Sequence, residues 1–147
     1  GEEKVIDYLP SGKPLLKGRS AYISFSHTYG DVAIAVHPTK EGGIDIEQYG
    51  NRVSKLASRF VREDESVSVK AGDAIYALLL HWSAKETMFK LMNQSDVDFL
   101  EHLHILPFVP SESGEMEAVE YRTDFHQTFQ ISYYTHPDYV LTFACWE

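Results

Sequence analysis

The stretch Gly42-Gly43-Ile44-Asp45-Ile46-Glu47 decides how this chain is read. Isoleucines alternate with carboxylates. A side-chain period of two makes residues 43–47 a strand, with Ile44 and Ile46 on one face and Asp45 and Glu47 on the other. Aspartate and glutamate are poor strand formers, and two of them on one face repel. Such a pair asks for a counter-charge.

Working upstream, residues 31–36 (DVAIAV) and 21–25 (AYISF) read as two more strands. The short SHTYG connection ends in glycine and marks a hairpin between them. If the three strands form a meander, the first and third run in the same direction, and His27 comes to the sheet edge that carries Asp45 and Glu47. Downstream, residues 51–63 show helical spacing, with Val53, Leu56, Ala57 and Phe60 as the inward stripe. Arg52, Lys55, Arg59 and Arg62 make a basic strip on another face. Gly72 breaks the pattern and Asp73 is a candidate N-cap. Residues 74–92 (AIYALLLHWSAKETMFKLM) are the strongest helix, apolar almost all round as a buried helix is. The segment 97–110 is ambiguous, and 111–115 reads as a turn. Residues 116–122, 128–134 and 139–146 then read as three antiparallel strands. The order of three strands, two helices and three strands gives an α+β fold, antiparallel sheets with packed helices.

At 147 residues, with 44% apolar and 13% aromatic side chains, the chain is long enough for one domain with its own core. It has no apolar run near the ~20 residues that span a bilayer, and no signal-peptide pattern. A single cysteine, Cys145, fits a reducing compartment, so a cytoplasmic protein is expected, with no membrane partner. The net charge of −9 comes wholly from residues 91–147, where Arg122 is the lone basic residue. Nucleic-acid binding through bulk charge is not expected. A small anionic ligand fits only the first 90 residues, where the charges balance.

On the long helix Glu86 and Lys90 stand four apart and share a face. Ile75, Leu79 and Trp82 precede them on nearly the same face, so Glu86 continues a stripe that points inward. A buried carboxylate needs a partner or a metal. Asp45, Glu47 and Glu86 together make a hard-oxygen set. Mg²⁺ suits it, since it binds few carboxylates together with substrate phosphates. Calcium lacks its acidic twelve-residue loop, and zinc lacks a His or Cys set. His102 and His104 are a two-apart pair that reads as structural or solvated. The residues alone therefore predict an Mg²⁺–phosphate site, with His27 and Lys90 as cations facing the phosphates, and Lys85 and Lys13 as weaker candidates. There is no P-loop and no nucleophile elbow.

Taken together, Gly12-Lys13-Pro14, the Ser26-His27 pair in ISFSHT, GIDIE with Asp45 and Glu47, and WSAKETMFK with Trp82, Lys85, Glu86 and Lys90 resemble the Sfp-type 4′-phosphopantetheinyl transferases. Order and gaps agree over roughly residues 10–95. The resemblance implies a pseudo-dimeric fold whose first half is incomplete here, with residues 1–40 as its remnant and 41–147 as the second half of one transferase domain. It implies Mg²⁺ held by Asp45, Glu47 and Glu86, and coenzyme A held by Lys13, Ser26, His27, Lys85 and Lys90. It implies Glu86, Lys90 and His27 as catalytic residues, and an apo acyl or peptidyl carrier protein as acceptor. A homo-oligomer that completes the site is a further expectation. The competing expectations are a non-catalytic module binding coenzyme A or a carrier protein, and an unrelated Mg²⁺-dependent hydrolase of phosphate esters.

Overall fold

Residues 22–37 fold as a hairpin, because alternating side chains meet a turn at Gly30, whose φ of +89° favours a residue without a Cβ. The structure, a computed structural model, describes residues 6–8, 14–16, 22–28, 30–67 and 74–145. Strands β1 (Ile6–Tyr8), β2 (Pro14–Leu16), β3 (Tyr22–Thr28) and β4 (Asp31–His37) form one antiparallel sheet in that order. Strand β5 (Gly42–Gln48) leaves it and opens a second sheet. There it pairs with β9 (Tyr139–Cys145), which is followed by β8 (Thr128–His136), β7 (Ser113–Glu120) and β6 (Leu103–Ile105). The protein is α+β, as expected.

The expected meander is therefore corrected: β5 does not ladder onto β4. The parallel relation of β3 and β5 does hold, by another means. Ser24 Oγ accepts the Ile44 N–H at 3.1 Å and Ser26 Oγ accepts that of Ile46 at 3.2 Å. The partner numbers rise together, so the strands run the same way. Serine side chains occupy the donors of the β5 edge that a neighbouring strand would otherwise take.

Helix α1 (Arg52–Leu56) passes into one 3-10 turn (Ala57–Arg59) and ends there, short of the expected residue 63. The chain turns because Phe60 is fully buried and Glu65 reaches back to accept the Arg62 N–H at 2.8 Å. Helix α2 spans Ala74–Met92, the expected range. Gly72, Asp73 and Lys13 lie outside the described residues. The ambiguous segment holds the short α3 (Phe99–His102), capped by Asp98 Oδ1, and β6. Residues 113–115, expected in a turn, begin β7 instead.

Helix α2 lies across the second sheet, and the main core sits between them. Leu80, Ala84, Met88 and Leu91 meet Leu103, Ile105, Ile131 and Val140 there, all buried. On the other face of β5, Ile44 and Ile46 pack on Ala33 of β4. The outer face of β3 and β4 leaves Phe25, Val32, Ile34 and Val36 exposed. No helix among the described residues is long and apolar enough to cross a membrane.

Candidate active site

Two layers meet where α2 crosses β5, and the crossing is close. A Cβ on Gly43 would stand 2.9 Å from the Thr87 carbonyl oxygen, so this position requires glycine for the helix to approach. The approach brings α2 over the acidic face of β5. Asp45 is 4% exposed, while Glu47 and Glu86 are half-buried.

Each carboxyl has its own holder. Ser26 Oγ donates to Asp45 Oδ1 at 3.3 Å, and the Lys90 ammonium stands 3.7 Å from the same oxygen. Trp82 Nε1 donates to Glu47 Oε1 at 3.1 Å. Lys90 is fixed by donating to the Ile44 carbonyl at 2.6 Å and the Phe25 carbonyl at 3.3 Å. Beneath Asp45 a chain of hydroxyls ties helix to sheet. Ser83 and Thr142 are 2.9 Å apart, Thr87 and Thr142 are 2.8 Å apart, and Ser83 donates to the Asp45 carbonyl at 3.4 Å.

The electrostatics of the cluster follow from burial and crowding. Burial, then the Asp45 carboxylate, pushes Glu47 up to about 8, against the Trp82 hydrogen bond. Burial and Asp45 likewise push Glu86 up to about 7, with Lys90 opposing. Asp45 is raised by burial, although Lys90, Glu47, Ser83 and Ser26 all pull it down. Three acids on one wall hold protons better than usual, because the Lys90 ammonium offsets their burial and crowding only in part, and further positive charge is lacking.

A divalent cation fits that lack. Asp45 Oδ2 is buried without a hydrogen-bond partner, and the donors are all carboxylate oxygens of the kind Mg²⁺ takes. Among the described residues no three His, Cys, Asp or Glu side chains are placed so that together they could hold a metal ion. The carboxyls are neighbours rather than a finished cage. The orphaned oxygen and the raised acids carry more weight here, because Mg²⁺ commonly fills much of its shell with water and substrate.

Sequence-based candidates fall into distinct places. Asp45, Glu47, Glu86, Lys90 and Ser26 come together. His27 is one residue beyond the Ser26–Ile46 contact and so level with Glu47, but it is exposed and sits on the face of β3 opposite Ser26. Lys85 is fully buried on the far side of α2. It donates to Glu65 Oε1 at 2.7 Å, to the Phe60 carbonyl, and to the Phe99 carbonyl at 3.3 Å. Burial lowers Lys85 and Glu65 counters it. Burial alone would raise Glu65, yet His81, the Arg62 backbone and Lys85 together bring it to about 2. The His81 ring is 3.7 Å from Glu65 and its Nδ1 makes no hydrogen bond, so it contributes as a nearby dipole. Arg62 leaves the basic strip to pair with Asp64 at 2.8 Å and lie over the Tyr121 ring. Arg52, Lys55 and Arg59 remain exposed.

Glu65 and Thr142 were not singled out in the sequence. Thr142 carries a signal: it is polar in the inward phase of Val140 and Ala144. Glu65 carries none, being one acid in a run of three.

A recess of about 380 Å³ opens beside Glu47, with Thr28, Tyr49, Arg52, Leu79 and Trp82 among its walls. A larger hollow of about 1040 Å³ lies at the Gly42 end, between His37, Phe129, Phe143 and Cys145. It contains none of the clustered carboxyls, whereas Glu47 lines the smaller recess.

The pattern of the 4'-phosphopantetheinyl transferase superfamily matches residues 42–144. The chain belongs to this superfamily. The match begins where the second sheet begins and takes in Asp45, Glu47, Glu86 and Lys90. Superfamily members transfer phosphopantetheine from coenzyme A to carrier proteins, and this chain is a transferase of that kind. No curated protein matches it.

Proposed function

We propose that this protein is an Sfp-type enzyme that moves the 4′-phosphopantetheine arm of coenzyme A onto a serine of an apo acyl or peptidyl carrier protein, with Mg²⁺, releasing 3′,5′-ADP. The observation that carries this reading is the convergence of Asp45, Glu47 and Glu86 beside the Lys90 ammonium. The division into a first-half remnant, 1–40, and a second half, 41–147, belongs to the same proposal, as does a cytoplasmic setting. A second copy over the apolar face of β3 and β4 is the oligomer that this reading allows.

Mg²⁺ held by Asp45, Glu47 and Glu86 would offset phosphate charge and orient the pyrophosphate. The residues of the chain do the rest. Glu86, ionised when the site is loaded, accepts the proton of the carrier serine, directly or through a water. The serine oxygen forms its bond to the phosphorus that bears pantetheine, and the bond from that phosphorus to the 3′,5′-ADP oxygen breaks. Lys90, pinned by two carbonyls, faces the charge that develops on the phosphoryl oxygens. Ser26 holds Asp45 in place, and His27 reaches phosphate only from the outer face of β3. Lys85 is bound to Glu65, so its part in coenzyme binding is indirect. Exposed Arg52, Lys55 and Arg59 offer a basic approach for an acidic carrier.

The test follows 3′,5′-ADP release from coenzyme A with an apo carrier present. Glu86→Gln keeps shape and removes the proton acceptor, so release should fall at least a hundredfold. Full release by Glu86→Gln would remove Glu86 from the chemistry.

A further inference from the structure

Trp82 is the hinge between two networks that the transfer chemistry leaves unconnected. Its indole N–H donates to Glu47 Oε1 at 3.1 Å. Its ring is gripped by Phe60, centroids 5.2 Å apart, and by Phe99, centroids 5.4 Å apart. The carbonyls of those same two phenylalanines accept hydrogen bonds from the buried Lys85 ammonium. Glu65 holds Lys85 from the other side, and its second oxygen accepts the Ile105 N–H at 2.7 Å, which fastens the assembly to β6.

We propose that Lys85, Glu65, Phe60 and Phe99 form a clamp that fixes the Trp82 indole and through it orients the Glu47 carboxylate toward its neighbours. Trp82 is then a positioning residue, and the Lys85–Glu65 pair acts on the site without touching it. The physical logic is that of an outer hydrogen bond that turns a ligating side chain and holds it there. An ammonium with three acceptors around it sets backbone positions, and the rings attached to that backbone set the indole. This explains why a lysine beside Glu86 is turned away from the phosphates. The orientation of Glu47 is stated for the metal role proposed above and rests on it, whereas the clamp itself does not.

The test uses ¹⁵N-labelled protein. The Trp82 indole resonance is assigned by its loss in Trp82→Phe, and its exchange with water is measured without metal. Mg²⁺ affinity is then measured by calorimetry. Two variants open the clamp: Lys85→Met/Glu65→Gln, which removes both charges together, and Phe99→Leu, a change at a half-buried ring that the fold should accept. Wild-type protein should show slow indole exchange. In the folded variants exchange should speed at least about tenfold, and Mg²⁺ should bind about tenfold more weakly, with Trp82→Phe matching that loss. Unchanged indole exchange in folded Phe99→Leu overturns the clamp, even if the double variant fails to fold. Faster exchange with unchanged Mg²⁺ affinity overturns the orienting role. Wild-type protein that binds no Mg²⁺ refutes the metal reading alone, and the clamp is then decided by exchange.

Discussion

Without metal, this protein should lose stability as pH rises from 5 to 8. The unfolded chain ionises Glu47 and Glu86 near the ordinary value of 4.5, whereas folding raises them to about 8 and about 7. Between those values the folded state holds more protons, so the contribution of these two groups is fully present below pH 4.5 and is lost as pH climbs through the raised values. Each group can remove up to about 1.4 kcal/mol per pH unit. Both are partly exposed, and the titration of Glu47 is linked to that of neighbouring Asp45, which reduces the combined loss to on the order of 2 kcal/mol. For a domain of this size that is a Tm drop of about 6 °C. Acids that folding makes stronger, Glu65 and Glu120, are ionised in both states over this range and add no slope. Burial is the larger cause of both raised glutamates, and Asp45→Asn removes the second, the neighbouring charge, while keeping an oxygen for Ser26. It should flatten the slope and be the more stable protein at pH 8. The assay is scanning calorimetry at four pH values with EDTA, repeated with Mg²⁺. At a hundredfold excess over its Kd, Mg²⁺ adds about 2.7 kcal/mol, and more of this appears at pH 8, where its ligands are free of protons. A wild-type slope equal to that of Asp45→Asn would refute the crowding argument, and no response to Mg²⁺ at pH 8 would refute the metal reading.

Other outcomes follow from the same geometry. Gly43→Ala places a Cβ against the Thr87 carbonyl and should cost about 1–3 kcal/mol by urea titration, with activity falling further as α2 lifts from β5. Thr142→Val removes the hydroxyl that Ser83 and Thr87 share and leaves them only their longer bonds to the carbonyls of Asp45 and residue 142, which should cost about 1 kcal/mol, whereas Thr142→Ser should restore most of it. Reversing Lys55 and Arg59 to glutamate should raise KM for an acidic carrier several-fold and leave KM for coenzyme A unchanged, an effect that fades with salt. Equal changes in both KM values would exclude this helix face as a docking surface.

Local rules made the elements that approach the site legible. Alternation in GGIDIE puts Asp45 and Glu47 on one face, and that face does meet α2. A nineteen-residue helix of good formers declared its own limits, and its stripe through Leu79 and Trp82 aimed Glu86 inward. What escaped were consequences of distant pairing. Whether β5 joins β4 or β9 depends on serine side chains that take the β5 edge donors, and no local pattern shows that. Lys85 and Glu86 are adjacent, and the stripe that aims Glu86 does not tell where Lys85 goes; Glu65 and the carbonyls of Phe60 and Phe99 take it. In the run Glu63-Asp64-Glu65 the third acid is buried and the others are exposed, because Lys85 lies above Glu65 alone. His27 shows the reverse limit: its level along the strand was legible, but its face depends on the parity set by Ser26.

The most direct test is the intact mass of an apo carrier protein after incubation with this protein, coenzyme A and Mg²⁺. The account predicts a gain of one phosphopantetheine arm, abolished by EDTA and by Asp45→Ala or Glu86→Ala. A carrier whose mass stays unchanged across acyl and peptidyl types, or a gain that survives EDTA, would contradict it.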